Sequence, residues 1–401
     1  MRGLGLAAAA ALMSVSAHGQ WQFQDPHWSG GDPRAGVFHQ LDGAARQHVA
    51  ADEGHVAVVW SDNADGSYQA RVAFRPLPGG EPFGPVETLS SGEEAYHPVA
   101  VALGDGRFLF AWEQDDRVWM RSAMPGAMGP IVQVDEMAST QPALAAHPEK
   151  GIVAAWVRRE NGVSRVVSAR LTLDEAGAVH LAEAVPVDTG TPERDQLYPA
   201  AAVTPSGVVV AWEDRREGHT RLHFVFRTHG GEFGPLQDLN DRREGPRSQI
   251  YGAGSGVTRV ALTARDDRVA AVWMDKRDYQ SGYDVFAALS DDGGRSFGAN
   301  EMVQDLFGAE IPQWHPAVAV DPEGLPLAVW DDPREDTPDV WMSWRASGGW
   351  SDDVEVAPAY GPGAHTRPAA AFGPDGRLHI VWITRTEDGL SRLGYVEARR
   401  R

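Results

Sequence analysis

Val269-Ala-Ala-Val-Trp-Met-Asp-Lys-Arg277 and Asp284-Val-Phe-Ala-Ala-Leu289 are two short apolar segments of strand length, and Ser290-Asp-Asp-Gly-Gly-Arg-Ser-Phe-Gly298 follows them directly. The last stretch reads as a tight turn in which the Asp292 carboxylate accepts backbone N–H groups of its own hairpin. Gly293 and Gly294 allow positive φ there, and Phe297 is placed to plug the turn onto a sheet.

The pattern around this turn recurs along the chain. Alternating apolar runs end in tryptophan at Trp60, Trp112, Trp156, Trp212, Trp273, Trp330 and Trp382, with steps of 52, 44, 56, 61, 57 and 52 residues. Self-similarity near this period marks a propeller or array, and each segment has strand length. No amphipathic helix separates them. Every repeat divides into four strands, A to D. In the sixth these read His315-Pro-Ala-Val-Ala-Val320, Leu325-Pro-Leu-Ala-Val-Trp330, Val340-Trp-Met-Ser-Trp344 and Asp353-Val-Glu-Val-Ala357. Most A strands open on a residue before proline, a position that tolerates the missing ladder donor: His97-Pro98, Gln141-Pro142, Tyr198-Pro199, His315-Pro316 and Arg367-Pro368.

The turn at Ser290, Asp292, Gly294 and Phe297 resembles the Asp box (BNR repeat) of the sialidase, or neuraminidase, superfamily. Reduced forms that keep the glycine pair and the aromatic stand at 78–83, 229–233 and 346–350. The expected fold is therefore an all-β, seven-bladed propeller of four-stranded antiparallel blades, with six blades as the alternative. Repeat seven has no D strand of its own. The spare segment Gly36-Val-Phe-His-Gln-Leu41 is expected to pair beside its strand C and close the ring, removing an exposed edge.

The chain has 401 residues, a net charge of −20 and no cysteine. The acidic balance argues against nucleic acid and anionic membranes as partners. Residues 1–19 read as a secretory signal: a basic Arg2, an apolar run over 4–13, and a small-residue cleavage site after Ala17 or Gly19. That run is too short to span a bilayer. The expectation is a secreted or periplasmic monomer with a single propeller domain over 20–401. No cofactor or metal is expected. Asp62-Asn-Ala-Asp-Gly66 echoes a calcium loop but lacks the full ligand set, and no metal-binding histidine pair, nucleophile elbow or phosphate loop occurs.

In sialidase-like propellers the D–A and B–C loops share one face. The resemblance therefore implies a functional face built from 62–68, 113–117, 213–221, 275–284 and 331–339 together with 91–97, 188–198, 240–259, 306–315 and 359–367. These loops are rich in charged and aromatic residues. Three consecutive repeats share Trp-x-Asp-x-Arg: Trp212/Asp214/Arg216, Trp273/Asp275/Arg277 and Trp330/Asp332/Arg334. These sets serve either ligand binding, through Asp275, Arg277, Asp332 and Arg334, or the stapling of loops. The residues opening the A strands are expected to ring the channel mouth: His48, His97, Gln141, Tyr198, His315 and Arg367. Trp314 could stack on a sugar. The long loop 240–259 carries Arg247, Tyr251 and Arg259 as further ligand candidates. The resemblance implies an arginine triad, a tyrosine nucleophile with its glutamate, and an aspartate acid/base, but no spacing assigns these roles. The family's Arg-Ile-Pro is missing; Phe74-Arg75-Pro76 is similar but precedes a C–D turn on the opposite face. Two readings follow: a recognition propeller for a glycan or extracellular protein without catalysis, and an exo-sialidase-type glycoside hydrolase.

Overall fold

A computed structural model of the chain describes residues 21–31, 33–92, 94–190, 194–241, 256–277, 282–305 and 311–401. They form seven small antiparallel sheets in a ring, a seven-bladed β-propeller. From the channel outward, strands A are His39–Gln40 with Val49–Ala51, Ala95–Gly104, Ser139–His147, Gln196–Val203, Val257–Arg265, Trp314–Val320 and Ala364–Phe372. Strands B are His55–Asp62, Arg107–Gln114, Gly151–Glu160, Gly207–Asp214, Arg268–Asp275, Pro326–Glu335 and Leu378–Arg385. Strands C are Gln69–Pro76, Arg117–Met124, Val163–Leu173, Arg221–Thr228, Asp284–Ser290, Thr337–Ala346 and Ser391–Arg400. Strands D are two- or three-residue pieces at the rim, too short to offer an edge for further pairing. Helical structure among the described residues is one 3-10 turn, Ala357–Ala359, and no helix there is long and apolar enough to cross a membrane.

The B strands explain the ring. Blades stack face to face, so a central strand is covered on both sides and reads as a continuous apolar run; Gly207–Asp214 is buried at every position. The seven repeat tryptophans are fully buried, each wedged where two blades meet. Trp273 packs among Val209, Ala211 and Phe224 of blade four, and Trp212 among Val153, Ala155 and Val157 of blade three. A buried indole needs an acceptor. Six find one two residues on: Asp62 at 2.5 Å, Gln114 at 3.1 Å, Asp214, Asp275 and Asp332 at 3.0 Å, and Thr384 at 2.9 Å. In blade three that position is Arg158, and Trp156 instead bonds Asp135 at 2.9 Å, which Arg158 also holds at 2.6 Å.

The turn after Asp284–Ser290 is held as its residue types imply. Asp292 Oδ1 accepts the N–H groups of Arg295 and Ser296, each at 3.0 Å, and Ser290 Oγ accepts that of Gly294 at 2.9 Å. Desolvation, the largest single effect, pushes the Asp292 carboxyl up, but hydrogen bonds from the Ser296 and Ser290 side chains and the Ser296 and Arg295 N–H groups together outweigh it and hold the pKa at about 2. Gly293 and Gly294 have φ of 78° and 88°, and a Cβ on Gly294 would meet Val209 of blade four at 3.0 Å. Phe297 lies edge-on to Phe224 of blade four at 4.9 Å, and Phe83, in the turn of blade one, lies likewise against Tyr395 of blade seven at 5.0 Å.

An N-terminal strand closes the ring, but the segment is not 36–41. Trp21–Phe23 and His27–Trp28 pair with strand C of blade seven and supply its strand D. Trp21 is buried against Trp344 at 5.8 Å and Phe372 at 6.3 Å, so this segment carries the apolar anchor, whereas Phe38 is exposed. His39–Gln40 pairs instead with Ser61 and Asp62 and forms the first half of blade one's strand A.

Candidate functional site at the channel mouth

The A strands share a local distortion at their outer ends. Register shifts interrupt the A–B ladders between Tyr96 and Val99, Thr140 and Ala143, Leu197 and Ala200, Thr258 and Ala261, Trp314 and Ala317, and Thr366 and Ala369. Inside each bulge one non-glycine residue is left-handed: His97, Gln141, Tyr198, Arg259, His315 and Arg367, with φ of 53°, 55°, 51°, 61°, 54° and 58°. Each costs on the order of 1 kcal/mol and persists only where the surroundings enforce it.

The enforcing groups lie immediately after the repeat tryptophans of alternate blades. Glu113 accepts the N–H of Gln141 at 2.8 Å, Glu213 that of Arg259 at 2.7 Å, and Asp331 that of Arg367 at 2.8 Å. Glu113 and Asp331 also take the Nδ1–H of His97 and His315, at 3.0 and 2.8 Å. Between blades three and four the Gln141 amide oxygen does the same for Tyr198 N–H at 2.6 Å. Each carboxylate joins its own blade to the next, at the mouth of the channel. Burial pushes the Glu113 carboxyl up, but His97, Thr140 and the Gln141 N–H together bring it below the ordinary range. Burial wins for Glu213, which stays raised although Thr258, at 2.5 Å, and the Arg259 N–H bond it.

Blade one breaks the pattern and fills the mouth. Its strand A is split, and the intervening residues 41–48 cross the channel. Buried Arg46, left-handed at φ 57°, donates to the Leu41 carbonyl at 2.9 Å and to the Pro368 carbonyl of blade seven at 3.0 Å. Gln47 bonds both backbone groups of Leu144 in blade three, at 2.5 and 3.0 Å. Beneath them is a cavity of about 220 Å³ lined by strand A residues such as Ala50, Ala100, Ala261 and Ala317. Burial lowers the Arg46 pKa to about 10, with the Asp331 charge opposing that shift and Arg259 reinforcing it.

The sequence candidates distribute as follows. His97, Gln141, Tyr198, Arg259, His315 and Arg367 stand at the mouth. The Arg259 guanidinium lies 3.8 Å over the Tyr198 ring, and Arg367 pairs with Asp42. The His48 side chain is buried and accepts the Gly43 N–H at 3.0 Å, and the left-handed position is taken instead by Arg46, itself buried, with partly buried Gln47 next to it. Only the left-handed bend of 41–48 sets this, and no proline marks it in the sequence. Trp314 is 38% exposed, edge-on to Tyr283 at 5.3 Å. Burial, then the Glu213 charge, raises the Tyr283 hydroxyl pKa. Arg247 and Tyr251 lie outside the described residues.

The Trp-x-Asp-x-Arg sets are brackets within the walls. Buried Asp214, Asp275 and Asp332 each take the indole N–H, the backbone N–H of the arginine two residues on, and its guanidinium. Arg216 continues to Asp188 at 2.5 Å, Arg277 to Asn300 at 3.0 Å, and Arg334 to Asp353 at 2.9 Å. Arg277 and Arg334 also cover the rings of Phe286 and Trp341. Arg75 is buried away from the mouth, bonding Glu397 of blade seven and the Glu81 carbonyl. Asp62 and Asp65 both face Arg71, at 3.4 and 2.5 Å. Among the described residues no three His, Asp or Glu side chains gather as a metal set.

No family model and no curated protein sequence matches the chain. Solved structures do. A protein of unknown function from Dyadobacter fermentans superposes with a TM-score of 0.57 at 11% identity, covering 95% of this chain and all (100%) of that one. The α-L-arabinofuranosidase of Fusarium graminearum, in complex with an iminosugar inhibitor, superposes with 0.51 at 11% identity, covering 75% of this chain and 91% of that one. The NanB sialidase of Streptococcus pneumoniae gives 0.47 at 9% identity over 94% of this chain and 70% of that one. At these identities the likeness is one of fold.

Proposed function

We propose that the chain is an exported propeller that recognises a glycan at the channel mouth on its D–A/B–C face, without catalysis. The observation that carries this reading is Trp314. An exposed indole edge-on to Tyr283, beside the fixed His315–Asp331 pair and the half-buried Arg367, offers a face for sugar C–H groups and donors for hydroxyls. Glu113, Glu213 and Asp331 are committed to backbone N–H groups of the bulges, which suits a rigid rim better than proton transfer. A glycan array and calorimetry on the mature chain test the reading. Binding that Trp314→Ala removes and Arg367→Ala weakens, both variants folded, supports it. A full array without a hit, with a protein ligand recovered instead, overturns it.

Exo-sialidase-type hydrolysis is the second reading, favoured by the raised, buried Glu213 near Tyr283 with Arg46, Arg259 and Arg367 around the same mouth. A panel of fluorogenic glycosides decides between the two. A sialoside belongs in it, and so does an α-L-arabinofuranoside, the substrate type named for a protein of the same fold. Turnover abolished by Tyr283→Phe or Glu213→Gln supports the hydrolase. Export through residues 1–19 is read from the N-terminus of protein recovered from the periplasm or medium: a start at His18 or Gln20 supports it, and an intact Met1 in the cytoplasm overturns it.

A further inference from the structure

Blade seven differs from the others at its mouth-side end. Arg367 stands there on strand A at the channel, and Arg385 ends strand B. Arg392 begins strand C, one residue past the Ser391 that pairs with Arg385. Trp28 lies on strand D at the rim, opposite Gly394. Phe38 joins them from the linker to blade one, where the next residue, His39, bonds Ser391 at 3.2 and 3.0 Å. Strands A to D of a blade run from the axis outward. These side chains therefore form a radial track from channel to rim.

The aromatic rings of the track are exposed, Trp28 by 44% and Phe38 by 38%, and each has a guanidinium over it at 5.5 Å: Arg392 on Trp28 and Arg385 on Phe38. Neither arginine has an ion-pair partner among the described residues, whereas Arg216, Arg277 and Arg334 each hold a buried carboxylate. Asp388, in the B–C turn, bonds Thr386 and the Leu390 backbone, and the Arg392 charge acts on it without forming an ion pair. Arg385 is close enough to Arg367 that, after burial, its charge lowers the Arg367 pKa. Arg367 is countered by Asp42, and Arg392 acts on the Asp388 carboxylate, so Arg385 is the least countered of the three. A stacked guanidinium keeps its N–H edge free for a planar anion.

We infer that the mouth-side end of blade seven is a subsite for an anionic saccharide chain, whose acidic groups meet Arg385 and Arg392 and whose sugar faces lie on Phe38 and Trp28, with the Arg367–Asp42 pair at its channel end. The inference deepens the glycan recognition proposed above and rests on it. The shared ligand chemistry is a pyranose bearing an anion, either a uronate carboxylate or a sulfate ester.

The test is titration of the mature chain with oligogalacturonate, its methyl ester, and dextran sulfate, in low and high salt. Binding is expected for one of the two anionic probes, and which one binds names the anion. For a uronate the methyl ester should bind about tenfold more weakly or not at all. Added salt should weaken binding, because the arginines are at the surface. Arg385→Gln, at an exposed strand end, and the Arg385→Gln/Arg392→Gln double variant should weaken it further, about tenfold for the double. Thermal melts of both variants confirm that the ring is intact. Failure of both anionic probes to bind overturns the subsite, as does binding that the arginine variants leave unchanged. If a neutral glycan still binds and Trp314→Ala abolishes that binding, the recognition reading stands and only this inference fails.

Discussion

The Asp331 carboxylate accepts the Nδ1–H of His315 in its own blade and the backbone N–H of Arg367 in the next, each at 2.8 Å. Glu113 does the same for His97 and Gln141. Three of the strained residues at the channel mouth, Gln141, Arg259 and Arg367, are thus held by acids of the blade before them, so ring integrity and mouth geometry depend on the same groups. Asp331→Ala removes the acceptor and leaves the Arg367 N–H without one. It should lower unfolding stability by about 1–3 kcal/mol in urea titration. A change within about 0.5 kcal/mol, the range of ordinary surface substitutions, would show that the bulge holds itself.

The repeat tryptophans are expected to be the largest single contributors to the core. Trp273 is fully buried between blades four and five, and its indole bonds Asp275. Trp273→Ala should cost about 3–5 kcal/mol or prevent folding, from lost burial and the cavity left behind. Trp273→Phe should cost less, keeping most of the contact but leaving Asp275 one donor short. Equal losses in denaturant titration would place the cost in the hydrogen bond and not the packing.

Two buried groups pull stability in opposite directions between pH 4 and 7. Burial lowers the His379 pKa to about 4 from 6.5, so the unfolded chain takes up a proton first, and stability falls as pH drops from 6.5 through 4. The loss is on the order of 3 kcal/mol. Asp353 is the reverse. Desolvation raises it to about 7 from 3.8, ahead of the opposing Arg334 charge, so its contribution is complete below 3.8 and lost as pH rises through 7. Melting curves of His379→Gln should therefore lose part of the acid destabilisation. Asp353→Asn should gain on wild type above pH 7 and lose that advantage in acid. Parallel curves for wild type and both variants contradict the assignment.

The turn at 290–298 should be intolerant at Gly294. Alanine there must adopt φ near 88° and place its Cβ against Val209. Gly294→Ala should cost about 1–3 kcal/mol. Hydrogen exchange should show faster opening of the blade four–five contact in the variant. Unchanged protection at Val209 would mean the neighbour simply gives way.

The blade count, the four-stranded repeat and the buried tryptophans were legible in the chain because they rest on local signals: period-two alternation, strand length, and an indole at a regular interval. The turn around Asp292 was legible for the same reason, since donor and acceptor are neighbours in sequence. Six of the mouth residues could be placed from the first position of strand A or from its neighbouring loop, five of them with proline as the marker. Tertiary structure decided the rest. Arg46 and Pro368 are 322 positions apart, and nothing local says that the first strand A splits to let Arg46 and Gln47 cross the channel. Nor does it say that Trp21–Phe23 and not 36–41 completes blade seven, because both segments alternate and only burial against Trp344 and Phe372 separates them. The Trp-x-Asp-x-Arg sets show the same limit. Their spacing announces a carboxylate beside a guanidinium, but whether that pair faces a ligand or its own blade depends on what the ring brings around it.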